Sequence, residues 1–132
     1  MSEDRVAKQV IVMRKDLGMR KGKMIAQGAH ASMRVVLLAG AMAEDRESFA
    51  IALSPAMAAW LGGRFTKVCV SVDSEAALDA VVAKAEAAGV PCALITDAGK
   101  TEFHGVPTKT CCAVGPAWID EVDAITGDLP LL

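Results

Sequence analysis

Lys23, Gln27, His30 and Arg34 stand at steps of four, three and four residues. On a helix that spacing lines them along one face. An ammonium, a carboxamide, an imidazole and a guanidinium in one stripe could hold an anion, orient a carbonyl or move a proton. A solvated amphipathic helix would show the same spacing, but this stripe grows out of a basic turn, Asp16-Leu-Gly-Met-Arg-Lys-Gly-Lys23, and includes neutral donors. The turn follows the β-branched run Val10-Ile-Val12, so a strand ends there and a helix begins near Gly22. The first N–H groups of a helix lack backbone partners and its dipole end is positive, which suits an anion. Lys21 and Lys23 strengthen that field. A second candidate is Asp97, a carboxylate leaving a strand into Ala98-Gly-Lys-Thr101. If the two strands are parallel neighbours, their C-terminal edges bring Asp97 to Lys23.

Several chemistries are excluded by spacing. A phosphate-binding loop of the nucleotide triphosphatases needs four residues between its glycines and a hydroxyl after the lysine. Here three residues separate Gly18 from Gly22, and Met24 occupies the hydroxyl position. There is no Gly-x-Ser-x-Gly elbow, no cysteine adjoins a histidine, and Ser32 points off the face that holds His30, so water is the better nucleophile. Cys69, Cys92, Cys111 and Cys112 show no Cys-x-x-Cys spacing, and His30 and His104 are the two imidazoles. Buried thiols in a reducing compartment, without a protein metal site, are the expectation.

The chain has 132 residues, 53% apolar and 23% charged, which suits one domain over residues 1–132 with a dense core. No apolar run approaches the length of a membrane span, and Met1-Ser-Glu-Asp-Arg5 has no apolar signal region behind it. A soluble cytoplasmic protein is expected. The net charge of −2 is unevenly spread: residues 1–23 hold seven of the fourteen basic residues against three acids. Such asymmetry suits docking of a polyanion on one face.

These side chains need a frame. A first strand is expected over Lys8–Arg14 and a first helix over Gly22–Ala41, with Ile25, Ala29, Ser32 and Val36 packed on a sheet. Residues 42–65 read as less regular, apart from a short helix opened by Ser54 and Pro55 and closed by Gly62-Gly63. Thr66–Val72 alternates as a strand. Ser74 caps a helix through Ala88, stopped by Gly89. Cys92–Thr96 and Thr110–Val114 read as strands, and Pro116 starts a last helix with Ile119, Val122 and Ile125 facing inward. Alternation of this kind predicts an α/β sandwich with a four-stranded sheet, mostly parallel or mixed.

Residues 16–31, with Ile95-Thr-Asp-Ala-Gly-Lys-Thr101 and Gly115-Pro116, resemble the signature of the type 2 peptidyl-tRNA hydrolase family. The resemblance covers nearly the whole chain, from Lys8 to Thr126-Gly-Asp-Leu129. It implies a single-domain three-layer α/β/α sandwich around a four-stranded mixed sheet, and hydrolysis of the ester joining a peptide to the 3′ end of tRNA, without metal or other cofactor, in a homodimer. Carried to matching positions, the catalytic set is Lys23, Gln27, His30, Asp97 and Thr101. The family's two threonines stand one residue closer together than Thr101 and Thr110, which implies an insertion around 104–107 in a divergent branch. The later threonine is then Thr108 or Thr110. Expected tRNA contacts are Arg14, Lys15, Arg20, Lys21 and Gly22 around the turn, Arg34 on the helix, and Lys100, Thr108 and Thr110 across from it. Lys23 would stabilise oxyanion or phosphate charge, Asp97 would position Lys23 and water or act as base, Thr101 would complete the network, and Gln27 would donate to the substrate carbonyl. A non-catalytic RNA-binding module and a hydrolase of another acylated nucleotide are the alternatives, although three Phe, two Trp and no Tyr leave little for base stacking.

Overall fold

The computed structural model describes residues 5–132, so the reading of residues 1–4 lies outside it. The elements are β1 (Ala7–Arg14), α1 (Lys21–Leu38), β2 (Gly40–Met42), β3 (Phe49–Ile51), α2 (Pro55–Gly62), β4 (Lys67–Val72), α3 (Glu75–Ala88), β5 (Cys92–Asp97), β6 (Thr108–Trp118) and α4 (Ile119–Thr126). The main sheet has the order β4-β1-β6-β5. β1 runs parallel to β4, and β6 runs antiparallel to both β1 and β5. The C-terminal ends of β1, β4 and β5 and the start of β6 therefore share one edge of the sheet.

The two-residue period of β1 divides the core. Val10 and Val12 join Leu78, Val81, Val122 and Ile125 of α3 and α4, whereas Ile11 and Met13 join Ala31 and Val35 of α1. Trp60 of α2 closes a smaller cluster with Ala7 and Val36. The expected three-layer α/β architecture is present. Ser54 and Ser74 cap their helices by accepting from Met57 N–H and Ala77 N–H, and Gly89 ends α3 in the left-handed region.

Four local expectations are corrected. β5 is not a neighbour of β1, because β6 lies between them, although the two point the same way. Pro116 does not start the last helix. It lies inside β6, where Lys8 still pairs with Ala117 and Ala7 with Trp118. Gly115, at φ 88°, passes so close to β1 that a Cβ would meet the Lys8 carbonyl oxygen at 2.6 Å. α4 begins at Ile119, which is 37% exposed, while Val122 and Ile125 are buried. α1 ends at Leu38, and β2 and β3 form a small hairpin where irregular chain was expected. Three-residue strands carry too little alternation to be seen by period, and Gly40 approaches Ala50 too closely for any side chain.

The fourth correction concerns which way α1 faces. Its buried residues are Gln27, Gly28, Ala31, Ser32, Val35 and Val36. Ser32 and Val36 pack as expected, but Ile25 is 72% exposed and Ala29 faces solvent. The inward face is rotated so that an amide, Gln27, is buried in place of an aliphatic side chain. That is tolerable because Gln27 has polar partners waiting for it.

Candidate active site

The common sheet edge assembles the site. α1 crosses over β6 and β5, which carries Lys23 to the end of β5 without any direct pairing of β1 with β5. Lys23 Nζ donates to Asp97 Oδ1 at 2.9 Å and to Thr101 Oγ1 at 2.8 Å. The same Asp97 oxygen accepts from Gln27 Nε2 at 3.3 Å, and Oδ2 accepts the Gly99 N–H at 2.8 Å. Gln27 Oε1 in turn accepts the Thr110 hydroxyl at 2.5 Å. An unbroken chain thus runs Thr110, Gln27, Asp97, Lys23, Thr101. The Lys23 and Asp97 side chains are 14% and 15% exposed, so this charge pair sits at the rim of the protein interior.

Local sequence explains each placement. No acidic residue occupies the first turn of α1, and no side chain caps it, so its positive end is uncompensated there. Asp97 turns back on the second residue after it to accept the Gly99 N–H, as aspartate does at strand exits. Gly99 has φ +83°, and a Cβ there would lie 2.2 Å from the Val106 carbonyl oxygen. Its own carbonyl accepts from Gly105 N–H at 2.8 Å, which folds residues 99–105 into a closed loop and holds Thr101 over Lys23.

The hydrogen bond from Lys23 holds the Asp97 carboxyl below its ordinary range, with the Gly99 N–H, the Lys23 charge and the Gln27 amide assisting against partial burial. A carboxylate so stabilised is a poor proton acceptor and a good anchor for an ammonium.

The two candidate threonines are placed differently. Thr110 is fully buried and bonded to Gln27, whereas Thr108 is half-buried and its hydroxyl turns back to the Val106 carbonyl at 2.8 Å. Thr110→Val leaves the Gln27 oxygen buried without a donor, a loss of about 1–3 kcal/mol. Thr108→Val changes a solvent-edge contact and is expected to stay within about 0.5 kcal/mol of the wild type. Urea unfolding of both variants checks the difference.

Other expected site residues fall elsewhere. His30 and Arg34 are exposed and border a shallow groove of about 280 Å³ with Met33 and Leu37, apart from the Lys23–Asp97 network. Lys15, Arg20, Lys21, Gly22 and Lys100 are open to solvent around the site, Arg20 lying 3.6 Å from Glu102. Arg14 is buried and turned inward onto Asp16, so it does not belong to that exposed set. Two contributors escaped the sequence reading. The Gly99 N–H carries no side-chain signal, and Phe103 has its ring 5.8 Å from Lys23 Nζ only because of how the loop closes.

Cys111 and Cys112, both buried, offer no rival nucleophile, whereas Cys69 is exposed and Cys92 half-buried, against the expectation of buried thiols. All four cysteines are unpaired, Cys111 donates to the Gln27 carbonyl at 3.3 Å, and burial pushes its pKa up to about 11. Cys112 is likewise held strongly protonated, chiefly by its neighbour Cys92 and by burial.

Comparison with known proteins follows the same lines. A family model described as peptidyl-tRNA hydrolase PTH2 matches residues 7–132. A protein named peptidyl-tRNA hydrolase from Methanocaldococcus jannaschii is 42% identical over 125 residues, covering 95% of this chain and 99% of its own length. Another of that name from Halobacterium salinarum is 43% identical over 124 residues, covering 94% and 98%. Among solved structures, a protein described as of unknown function from Agrobacterium tumefaciens strain C58 superposes with a TM-score of 0.58 at 12% identity, over 96% of this chain and 97% of that one, which shows a shared fold. With the family match spanning nearly the whole chain and relatives of about 40% identity covered almost end to end, this chain belongs to the PTH2 family of peptidyl-tRNA hydrolases.

Proposed function

We infer that the chain hydrolyses the ester bond between a peptide and the 3′ end of its tRNA, releasing tRNA for reuse. Family membership supports the activity, and the Lys23–Asp97–Thr101 contact at the mouth of a basic turn supports the site. An acyl ester on a ribose is already activated, so the protein needs an oriented water and a resting place for oxyanion charge. Lys23 supplies that charge complement at the positive end of α1. Asp97, held ionised, fixes the ammonium and orients water; its depressed pKa argues against a base role. Thr101 accepts a second hydrogen bond from the ammonium. Gln27 is buried behind Asp97 and acts on the substrate through that carboxylate.

The exposed Lys15, Arg20, Lys21, Gly22 and Lys100 meet the phosphates of the acceptor end. His30 lies about 10 Å beyond Lys23 at 1.5 Å per residue, and Arg34 one further turn along. Both suit contact with the tRNA backbone in place of proton transfer at the ester. The chemistry runs without a metal or other cofactor. A cytoplasmic setting and a homodimer belong to the same reading. Among the described residues, no helix is long and apolar enough to cross a membrane. Ile25 and Met33, 72% and 58% exposed on the outer side of α1, suit cover by a second copy, and sedimentation velocity showing only monomer would defeat that part.

The deciding experiment is release of N-acetyl-aminoacyl groups from tRNA by purified protein in EDTA. Cleavage supports the reading. Binding of tRNA without cleavage returns the function to RNA binding, and cleavage confined to other acylated nucleotides moves the substrate.

A further inference from the structure

Arg14 ends β1, immediately before the turn that delivers Lys23, yet its side chain is only 10% exposed. Its guanidinium grips Asp16 with two parallel bonds, Nε to Oδ1 at 3.1 Å and Nη2 to Oδ2 at 2.7 Å. Nη1 donates to the Lys109 backbone carbonyl at 3.1 Å and lies 3.7 Å from Glu75. The contacts on each side explain why this matters. Asp16 belongs to the turn that sets the start of α1, and hence the placement of Lys23 and Gln27. Lys109 precedes Thr110, the residue that orients Gln27. A single planar group thus joins the two segments whose relative position defines the site.

We propose that Arg14 is a positioning residue for the Lys23–Asp97 pair, locking the β1–α1 turn to the start of β6, and not a contact for tRNA phosphate. Reaching a phosphate would require it to abandon the fork on Asp16 and the Lys109 carbonyl together. A fork of this kind is the property of arginine; lysine keeps the charge but cannot make two parallel bonds and a third to a carbonyl in one plane. The proposal concerns the site of the hydrolase reading and rests on it, so its test includes a measurement that does not depend on hydrolysis.

Arg14→Lys, Asp16→Asn and the double variant are compared with the wild type and with Lys21→Ala as a surface control. The expected result is a fall in kcat of about ten- to a hundredfold, the loss typical of a displacement near 1 Å. KM and the salt dependence of tRNA binding stay within about twofold, whereas Lys21→Ala weakens binding and flattens the salt slope. The double variant is no worse than the poorer single one, because both changes break one contact. Independently of turnover, NMR titration of Asp97 moves up towards its ordinary value of 3.8 in each variant, because Lys23 is no longer held against it. Should Arg14→Lys fold poorly, Asp16→Asn carries both measurements alone. A changed salt slope with kcat retained would overturn the proposal in favour of a phosphate contact. An Asp97 titration equal to that of the wild type would overturn it whatever the activity. Absence of hydrolysis by the wild type with the Asp97 shift present would strike the functional reading and leave the positioning role standing.

Discussion

Lys23→Ala is expected to lower the rate of peptidyl-tRNA hydrolysis about a hundred- to a thousandfold, the loss that follows removal of one preorganised electrostatic donor. The size of the effect comes from where the ammonium sits. It is held by Asp97 at 2.9 Å and Thr101 at 2.8 Å, and is 14% exposed, so it is already aimed when the substrate arrives and water screens it poorly. Solvent replacing it would have to reorganise during the reaction. With Lys23 in the proposed role, acting on charge as it develops at the ester oxygen, the loss is expected in kcat more than in KM. Single-turnover release of N-acetyl-aminoacyl groups, with tRNA binding measured in parallel, checks the split. Retained turnover would sink the assignment of Lys23.

Asp97→Asn is expected to lower kcat by a comparable factor, for a different reason. Asparagine is nearly the same shape but brings no negative charge, so Lys23 loses its anchor, and with one acceptor oxygen replaced by an NH2 donor the side chain no longer has an oxygen for each of the Gln27 amide and the Gly99 N–H. The variant also has a pH signature. The folded-state pKa of Asp97 is depressed, chiefly by the Lys23 hydrogen bond, from an ordinary value of 3.8. A depressed carboxyl stabilises the fold fully above that unfolded value, and the contribution is lost as pH falls through the lower folded value. The stability gap between wild type and Asp97→Asn should therefore be constant above that range and close only in stronger acid. Urea unfolding across that range tests it. A gap that closed at neutral pH would mean that Asp97 titrates high, and would restore its candidacy as a general base.

The two variants separate the roles within the pair. If Asp97 served mainly as a base, its loss would give a rate rising with pH as an external base took over, while Lys23→Ala would leave that profile alone. With Asp97 as anchor, both variants keep the pH profile of the wild type at reduced amplitude.

The chemistry-bearing residues were legible in the sequence because they lie in short stretches with local signals. Lys23 follows a basic turn after a β-branched run, and Asp97 leaves a buried strand into Ala98-Gly99. The three layers were legible too, since hydrophobic period and helix stops are properties of ten or so consecutive residues. What could not be read there depends on distant pairing. The insertion of β6 between β1 and β5, and the passage of Pro116 through a strand, follow from which edges find each other. The spacing of Lys23, Gln27, His30 and Arg34 established one helix face but not its rotation against the sheet. That rotation buries Gln27 and leaves His30 outside, because the Thr110 hydroxyl and the Asp97 carboxylate offer the amide its bonds. Arg14 looked like another cation of a basic turn, and only the nearby Asp16 and the Lys109 carbonyl decide that it faces inward. Residue types and local spacing thus determined which groups could act. Tertiary packing decided which of them meet, because burying a polar group is tolerable only where a partner from elsewhere in the chain satisfies it.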